Sequence, residues 1–263
     1  MELKNKYVLI TGGSSGIGEA LAKELAKFGS IPILIARRKE ELERVKKEIK
    51  ESTNIDCYIF SGDITSSQHR ERLKEFVITI PRIDIVIHNA GITNHGKFEN
   101  STEEALRKTF EINFFSVVEL TRILLPILKN NPNKKMICLV STPSSLYGIP
   151  ERFAYCSSKA AAQLFLESIS QEVYQDNIVV SIFFPGYTKT NLRTSGITSD
   201  GKPLSEEQEK NAKEPKEIAV IFRKAIQKEK KYVFTNLTGR VIFYLRVIAP
   251  TLLDRLIRKK TKH

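Results

Sequence analysis

Short apolar runs rich in β-branched residues alternate with longer amphipathic runs through roughly the first two hundred residues. The runs at 7–11, 31–36, 55–61, 83–88, 135–141 and 178–184 read as strands. Those at 17–28, 39–51, 67–79, 102–128 and 154–175 read as helices, the fourth broken just before Asn113. In the second helical run Leu42, Val45 and Ile49 recur at spacings of three and four, one apolar stripe on a charged cylinder. Strands that are apolar on both sides, separated by helices, predict a parallel sheet covered on both faces. Right-handed crossovers then give a doubly wound α/β topology with ligands at the carboxyl edge of the strands. Pro185-Gly186 ends the sixth strand, and the polar stretch 187–215 is too long for an ordinary connection, so a lid over that edge is expected. A helix at 215–228 and a strand at 231–235 complete the pattern.

Length and composition narrow this little. The 263 residues contain no repeat or flexible linker, so a single domain over 1–235 with a C-terminal extension at 236–263 is expected. The N-terminus runs straight into the first strand, which leaves no room for a secretory leader. Cys57, Cys138 and Cys156 have neither disulfide nor metal spacing, and no metal site is expected. Reduced thiols fit a cytoplasmic protein. The net charge of +12 is uneven: 237–263 holds seven basic residues (Arg240, Arg246, Arg255, Arg258, Lys259, Lys260, Lys262) and one acid, Asp254, half of the whole excess. That concentration argues for a local surface function and against a nucleic-acid-binding protein, for which no motif is present.

Candidate chemistry begins at TGGSSGIG, residues 11–18, between a strand and a helix. Glycines there let the backbone turn tightly against a pyrophosphate while N–H groups at the helix start, around Gly12, Ser14, Ser15, Gly16, Ile17 and Gly18, bind its charge. The second strand ends in Ala36-Arg37-Arg38, where an acid would bind a ribose 2′-hydroxyl. Two guanidinium groups suit a 2′-phosphate instead, so the expected cofactor is NADP(H). Tyr155 and Lys159 stand one helical turn apart and share a face. A nearby ammonium favours the phenolate, lowers the Tyr155 pKa and makes it a usable acid and base.

Taken together, TGGSSGIG, Asp63, HNAG at 88–91, Asn113, Tyr155 with Lys159, and Pro185-Gly186 resemble the short-chain dehydrogenase/reductase family, over about residues 5–190. The resemblance implies a Rossmann-type sheet of about seven parallel strands, assembly as a homodimer or homotetramer, and hydride transfer between a nicotinamide and a carbonyl or secondary alcohol. It implies that Tyr155 exchanges the proton, that Lys159 also binds the nicotinamide ribose, and that Asn113 links Lys159 to solvent. The family's substrate-orienting serine is replaced by Thr142, with Ser141 or Ser144 as alternatives. Asp63, followed by Ile64, matches the adenine contact; Asn89 the residue that steadies the central strands, with cofactor contact through Ala90 and Gly91; and Thr188 and Thr190 the hydroxyls that follow Pro185-Gly186. His88 and Cys156 receive no role.

The tail carries an apolar block at 241–248, then Leu252, Leu253, Leu256 and Ile257 opposite Arg255, Arg258, Lys259 and Lys260. It reads as a basic helix that lies on an anionic membrane surface, covers the cleft or meets a second subunit. Membrane attachment would favour a lipophilic carbonyl, with Phe114, Phe115, Tyr147, Phe153 and Tyr187 as an apolar wall. The alternative to an enzyme is a dinucleotide-binding regulatory protein on the same fold, which has no need of Tyr155, Lys159, Asn113 and Thr142 together.

Overall fold

The computed structural model describes residues 1–192, 195–204 and 212–260. Strand and helix alternate from the start: β1 Tyr7–Thr11, α1 Gly16–Ala26, β2 Ile31–Ala36, α2 Lys39–Thr53, β3 Tyr58–Ser61, α3 Ser67–Ile78 and β4 Ile85–His88. A two-residue strand β5 Asn94–His95, α4 Glu103–Phe110 and α5 Ser116–Asn130 precede β6 Lys135–Val140, α6 Phe153–Glu172 and β7 Ile178–Phe184. Then come β8 Ile197–Thr198, α7 Pro215–Gln227, β9 Tyr232–Phe234, α8 Leu237–Ile248 and α9 Pro250–Lys260.

Among the described residues seven strands form one sheet in the order β3-β2-β1-β4-β6-β7-β9, every pair parallel. This is the Rossmann-type doubly wound arrangement. The chain runs outward from β1 to β3 and restarts at β4 on the other side of β1, so a crevice opens between the carboxyl ends of β1 and β4. Side-chain alternation splits the core into two layers. Val8, Ile10, Leu34, Ile85 and Ile87 pack with α1, α2 and α7, through Leu25, Leu42, Val45 and Phe222. Leu9, Ile33, Ile35 and Val86 pack with α3, α5 and α6, through Leu73, Leu120, Leu124 and Leu166.

The departures from expectation are local. Strands β3 and β4 begin later than their apolar runs; the chain before β4 holds buried Asp84, whose carboxylate accepts from the Tyr7 N–H at 2.9 Å, Lys6 at 3.1 Å and Arg82 at 3.0 Å. The break at Asn113 is a π turn, Glu111–Phe115, running continuously from α4 into α5. Its wider turn carries Asn113 inward. The stretch expected as a lid is partly strapped down: Thr188 bridges Lys213, and Ile197–Thr198 pairs with β5. Residues 193–194 and 205–211 of that stretch lie outside the described residues, as do residues 261–263, Lys262 among them, and the side chain of Lys260.

Helix α8 is held against the sheet by its inner face. Phe243 lies 5.2 Å from the Tyr232 ring and 5.4 Å from that of Phe234. The Arg246 guanidinium donates to the carbonyls of Ser145 and Leu146. At the other face of the sheet Phe183 stacks on Phe222 with centroids 4.2 Å apart, both fully buried. Phe222→Ala leaves a cavity that neither the sheet nor α7 can close, and is expected to lower the unfolding free energy by about 3–5 kcal/mol in denaturant titration.

Candidate active site

The crevice between β1 and β4 becomes a cleft of about 880 Å³, and nearly every residue singled out in the sequence lines it. Gly12 and Gly16 have φ of +66° and +59°, which glycine adopts without strain. A Cβ on Gly12 would stand 2.9 Å from Asn89 Nδ2, and one on Gly16 would stand 3.2 Å from the Thr190 methyl. Ser14, Ser15 and Ile17 line the cleft with them. Gly18 does not. A Cβ there would collide with the Gly12 carbonyl oxygen, so this glycine lets α1 pack against the loop and the expected cofactor contact is corrected to a packing role.

The loop is tied to the end of β4. Asn89 Nδ2 donates to the Thr11 carbonyl at 2.9 Å and the Gly12 carbonyl at 3.3 Å, while the N–H groups of Asn89 and Ala90 both donate to Thr11 Oγ1 at 3.0 Å. Gly91 leaves space that a Cβ would fill, 2.9 Å from Asn113 Oδ1 and 3.0 Å from Lys159 Nζ. Arg37 and Arg38 line the far end, both exposed and in no ion pair among the described residues. Asp63 and Ile64 line the same end. Burial alone would raise the Asp63 carboxyl; hydrogen bonds from the Thr65 N–H and hydroxyl, with Arg37 and His69 nearby, hold it below its ordinary value.

Tyr155 and Lys159 enter from the first turns of α6, both buried. The Thr142 hydroxyl stands near enough to the Tyr155 phenol to favour its ionised form, and Lys159 Nζ donates to the Val140 carbonyl at 3.0 Å. Ser141 is turned away to Ser145, leaving Thr142 as the hydroxyl beside the phenol. Burial pushes Tyr155 up to about 12, against the opposing influence of the Thr142 hydroxyl and the Arg152 charge. The expected lowering by Lys159 is therefore corrected: loss of hydration outweighs the Arg152 charge and the Thr142 hydroxyl, and Lys159 is not among the groups that lower the phenol. Burial also pushes Lys159 down to about 8. Asn113 sits inside the helix break, buried near Lys159. Its amide joins the Ile92 N–H and C=O at 2.9 and 3.0 Å and Ser158 at 3.0 Å, and makes no hydrogen bond to Lys159. Buried His88 bonds Thr121 and is pushed down to about 3 by burial and by the charge of Lys159, so it is neutral.

Pro185, Gly186, Thr188 and Thr190 close the cleft beside the glycine loop, Gly186 N–H donating to Thr235 Oγ1 at 2.8 Å. Of the expected aromatic wall only Tyr147 and Tyr187 line the cleft. Phe114 instead packs against Phe115 and Phe165, and Phe153 against Phe98 on the outside. Many lining residues escaped the sequence reading, Arg152 and Ile242 among them. Arg152, which donates to Thr93 at 2.9 Å, is signalled only by standing three places before Tyr155 on the same helix. Ile242 of α8 has no local signal, because the contact joins residues nearly a hundred apart.

Comparison with known proteins places this arrangement of glycine loop, Tyr155–Lys159 pair and parallel sheet in a family. Residues 6–200 match the short chain dehydrogenase family. The chain belongs to the short-chain dehydrogenase/reductase family and is an oxidoreductase of that family. A Drosophila melanogaster protein named dehydrogenase/reductase SDR family protein 7-like is 33% identical over 266 residues, covering 98% of this chain and 81% of its own. Dehydrogenase/reductase SDR family member 7B of Rattus norvegicus is 28% identical over 99% of the chain and 82% of its own length. Among solved structures, a short-chain dehydrogenase from Burkholderia phymatum in complex with NAD superimposes with a TM-score of 0.85 at 18% identity, over 96% of both chains. One from Sphingobium yanoikuyae in complex with NADPH does so with 0.81 at 19%, over 98% of this chain and 96% of its own.

The depressed Lys159 pKa has a consequence for stability. Its folded value lies below the ordinary 10.5, so the cost of burying the ammonium is present in full below pH 8 and is relieved between about 8 and 10.5. Lys159→Met removes that cost. The difference in unfolding free energy between variant and parent is expected to stay flat below pH 8 and then to move in the parent's favour up to about 10.5. Denaturant titrations across that range check it, and a constant difference would show that Lys159 titrates normally.

Proposed function

We propose that this short-chain dehydrogenase is an NADP(H)-dependent oxidoreductase in which hydride passes between the nicotinamide and a carbonyl or secondary alcohol. The observation that carries the proposal is the buried Tyr155 phenol beside the Thr142 hydroxyl, in one cleft with the glycine loop, Lys159 and the exposed Arg37 and Arg38. The cleft suits the dinucleotide: Gly12 and Gly16, both at positive φ, turn the loop along one side of it, and two exposed cations stand at its far end, where they could meet a 2′-phosphate. Arg37 and Arg38 would hold that phosphate, Ser14 to Ile17 the pyrophosphate, Asp63 and Ile64 the adenine, and Thr188, Thr190 and Lys159 the nicotinamide end.

A phenol near pKa 12 is fully protonated at neutral pH, so Tyr155 is set to donate. In reduction it gives its proton to the carbonyl oxygen, which Thr142 orients by a second hydrogen bond, and the phenol is reprotonated from solvent. In oxidation the steps reverse: the phenol first releases its proton toward solvent, and the phenolate then takes the proton of the alcohol as hydride leaves its carbon for the nicotinamide. Lys159 stabilises the phenolate as it forms, and Asn113 positions α6 against the end of β4 through Ser158 and Ile92. Residues 1–235 carry this chemistry. The apolar side chains at the cleft's open side, Tyr147, Ile149, Tyr187, Leu192 and Ile242, favour a lipophilic carbonyl. Three buried free thiols fit a cytoplasmic setting, and the family resemblance a homodimer or homotetramer. A regulator that binds dinucleotide without chemistry would leave the buried Tyr155–Thr142 pair unused.

Titration with NADPH and NADH, followed by NADPH oxidation against a carbonyl panel, tests the whole reading; no binding of either dinucleotide would end it. Tyr155→Phe is expected to lose activity by about a thousandfold while NADPH affinity changes by less than about threefold. Arg37→Ala is expected to weaken NADPH binding by roughly ten- to a hundredfold and to leave NADH within about twofold, since only the charged hydrogen bonds to the 2′-phosphate are lost. Equal losses for the two dinucleotides would remove the phosphate-reading role.

A further inference from the structure

Helices α8 and α9 are apolar on two faces, of which the protein covers only one. Ile242, Phe243 and Leu253 point inward. Val241, Tyr244 and Ile248 form a second stripe on α8, joined by Val247, and Leu252 and Leu256 continue it on α9. Val247 and Ile248 are 78% and 77% exposed, more than almost any other large apolar side chain described. A helix that is apolar all round is ordinarily buried, and a contiguous apolar patch of this kind marks a contact surface. Exposed Arg240, Arg255 and Lys259 flank the patch, and Asp254 is the one acid described in either helix.

We infer that the α8–α9 pair docks on an anionic lipid surface, its apolar stripe entering the headgroup boundary and its cations meeting the lipid phosphates. Charge complementarity selects this occupant. A second copy of the same face would set cation against cation, whereas a basic amphipathic surface is drawn to anionic lipid. Among the described residues no helix is long and apolar enough to cross a membrane, so the contact lies in the plane of the surface. Thr238, Gly239 and Ile242 on the inner side of α8 line the cleft. Docking would therefore bring the cleft mouth to the lipid boundary, where a lipophilic carbonyl resides. Delivery of substrate rests on the reductase reading; docking itself does not.

The test is flotation of the full chain with vesicles of phosphatidylcholine alone or mixed with phosphatidylserine, alongside its mass in solution. The parent is expected to float with the mixed vesicles and not with phosphatidylcholine alone, and binding is expected to fall steeply with salt. Val247→Glu with Ile248→Glu should abolish flotation. Arg255→Glu with Lys259→Glu should weaken it at least about twentyfold, at roughly fivefold per neutralised cation. Both pairs are exposed, and unchanged circular dichroism and NADPH oxidation with a water-soluble ketone would report an intact fold. Absence of flotation by the parent, or flotation unaffected by either pair, overturns the inference. So does a dimer that Val247→Glu with Ile248→Glu splits while no lipid is bound, which would assign the patch to a second copy. Docking without turnover of any carbonyl would leave this inference standing and remove the reductase reading alone.

Discussion

The close approach of the β1–α1 turn to the end of β4 sets the geometry on which the rest of the structure depends. Two backbones meet there with no room for a Cβ: Gly12 lies against Asn89 and Ala90, and Gly18 under the Gly12 carbonyl. Thr11 and Asn89 stitch the contact with four hydrogen bonds. Because β1 and β4 are neighbours in the sheet but not in the chain, the crevice between them opens at their carboxyl ends and nowhere else. The phosphate loop, the basic pair after β2 and the Tyr155–Lys159 helix all face that one gap.

Within the gap, burial governs the electrostatics. The same loss of hydration drives Tyr155 and Lys159 in opposite directions, the phenol toward its protonated form and the amine toward neutrality. The two shifts push the groups' titration ranges apart, from nearly coincident ordinary values to about 12 for the phenol and about 8 for the amine. Neutral His88 below them adds no competing charge. The π turn at Glu111–Phe115 contributes by packing and not by contact: it brings Asn113 to Ile92 and Ser158, fixing α6 relative to β4.

The C-terminal helices join the cleft to the surface. The inner side of α8 completes the cleft wall through Ile242, while its outer side is apolar and flanked by cations. One short element thus links the proposed substrate chemistry to the proposed lipid contact.

The sequence by itself determined the order of strands and helices, the parallel sheet, the phosphate loop and the Tyr155–Lys159 pair. These rest on local signals: apolar periodicity, glycines at a strand–helix junction, and a spacing of four on a helix. The break before Asn113 was also legible, although not its π geometry. Tertiary structure alone decided the packing role of Gly18, the turning of Phe114 and Phe153 away from the cleft, and the entry of Arg152 and Ile242 into it. It also decided the sign of the Tyr155 shift, since desolvation depends on everything packed around a group and a sequence motif names only one neighbour. Periodicity and turn chemistry act over a few residues, whereas burial and cleft lining are settled by contacts between residues far apart in the chain.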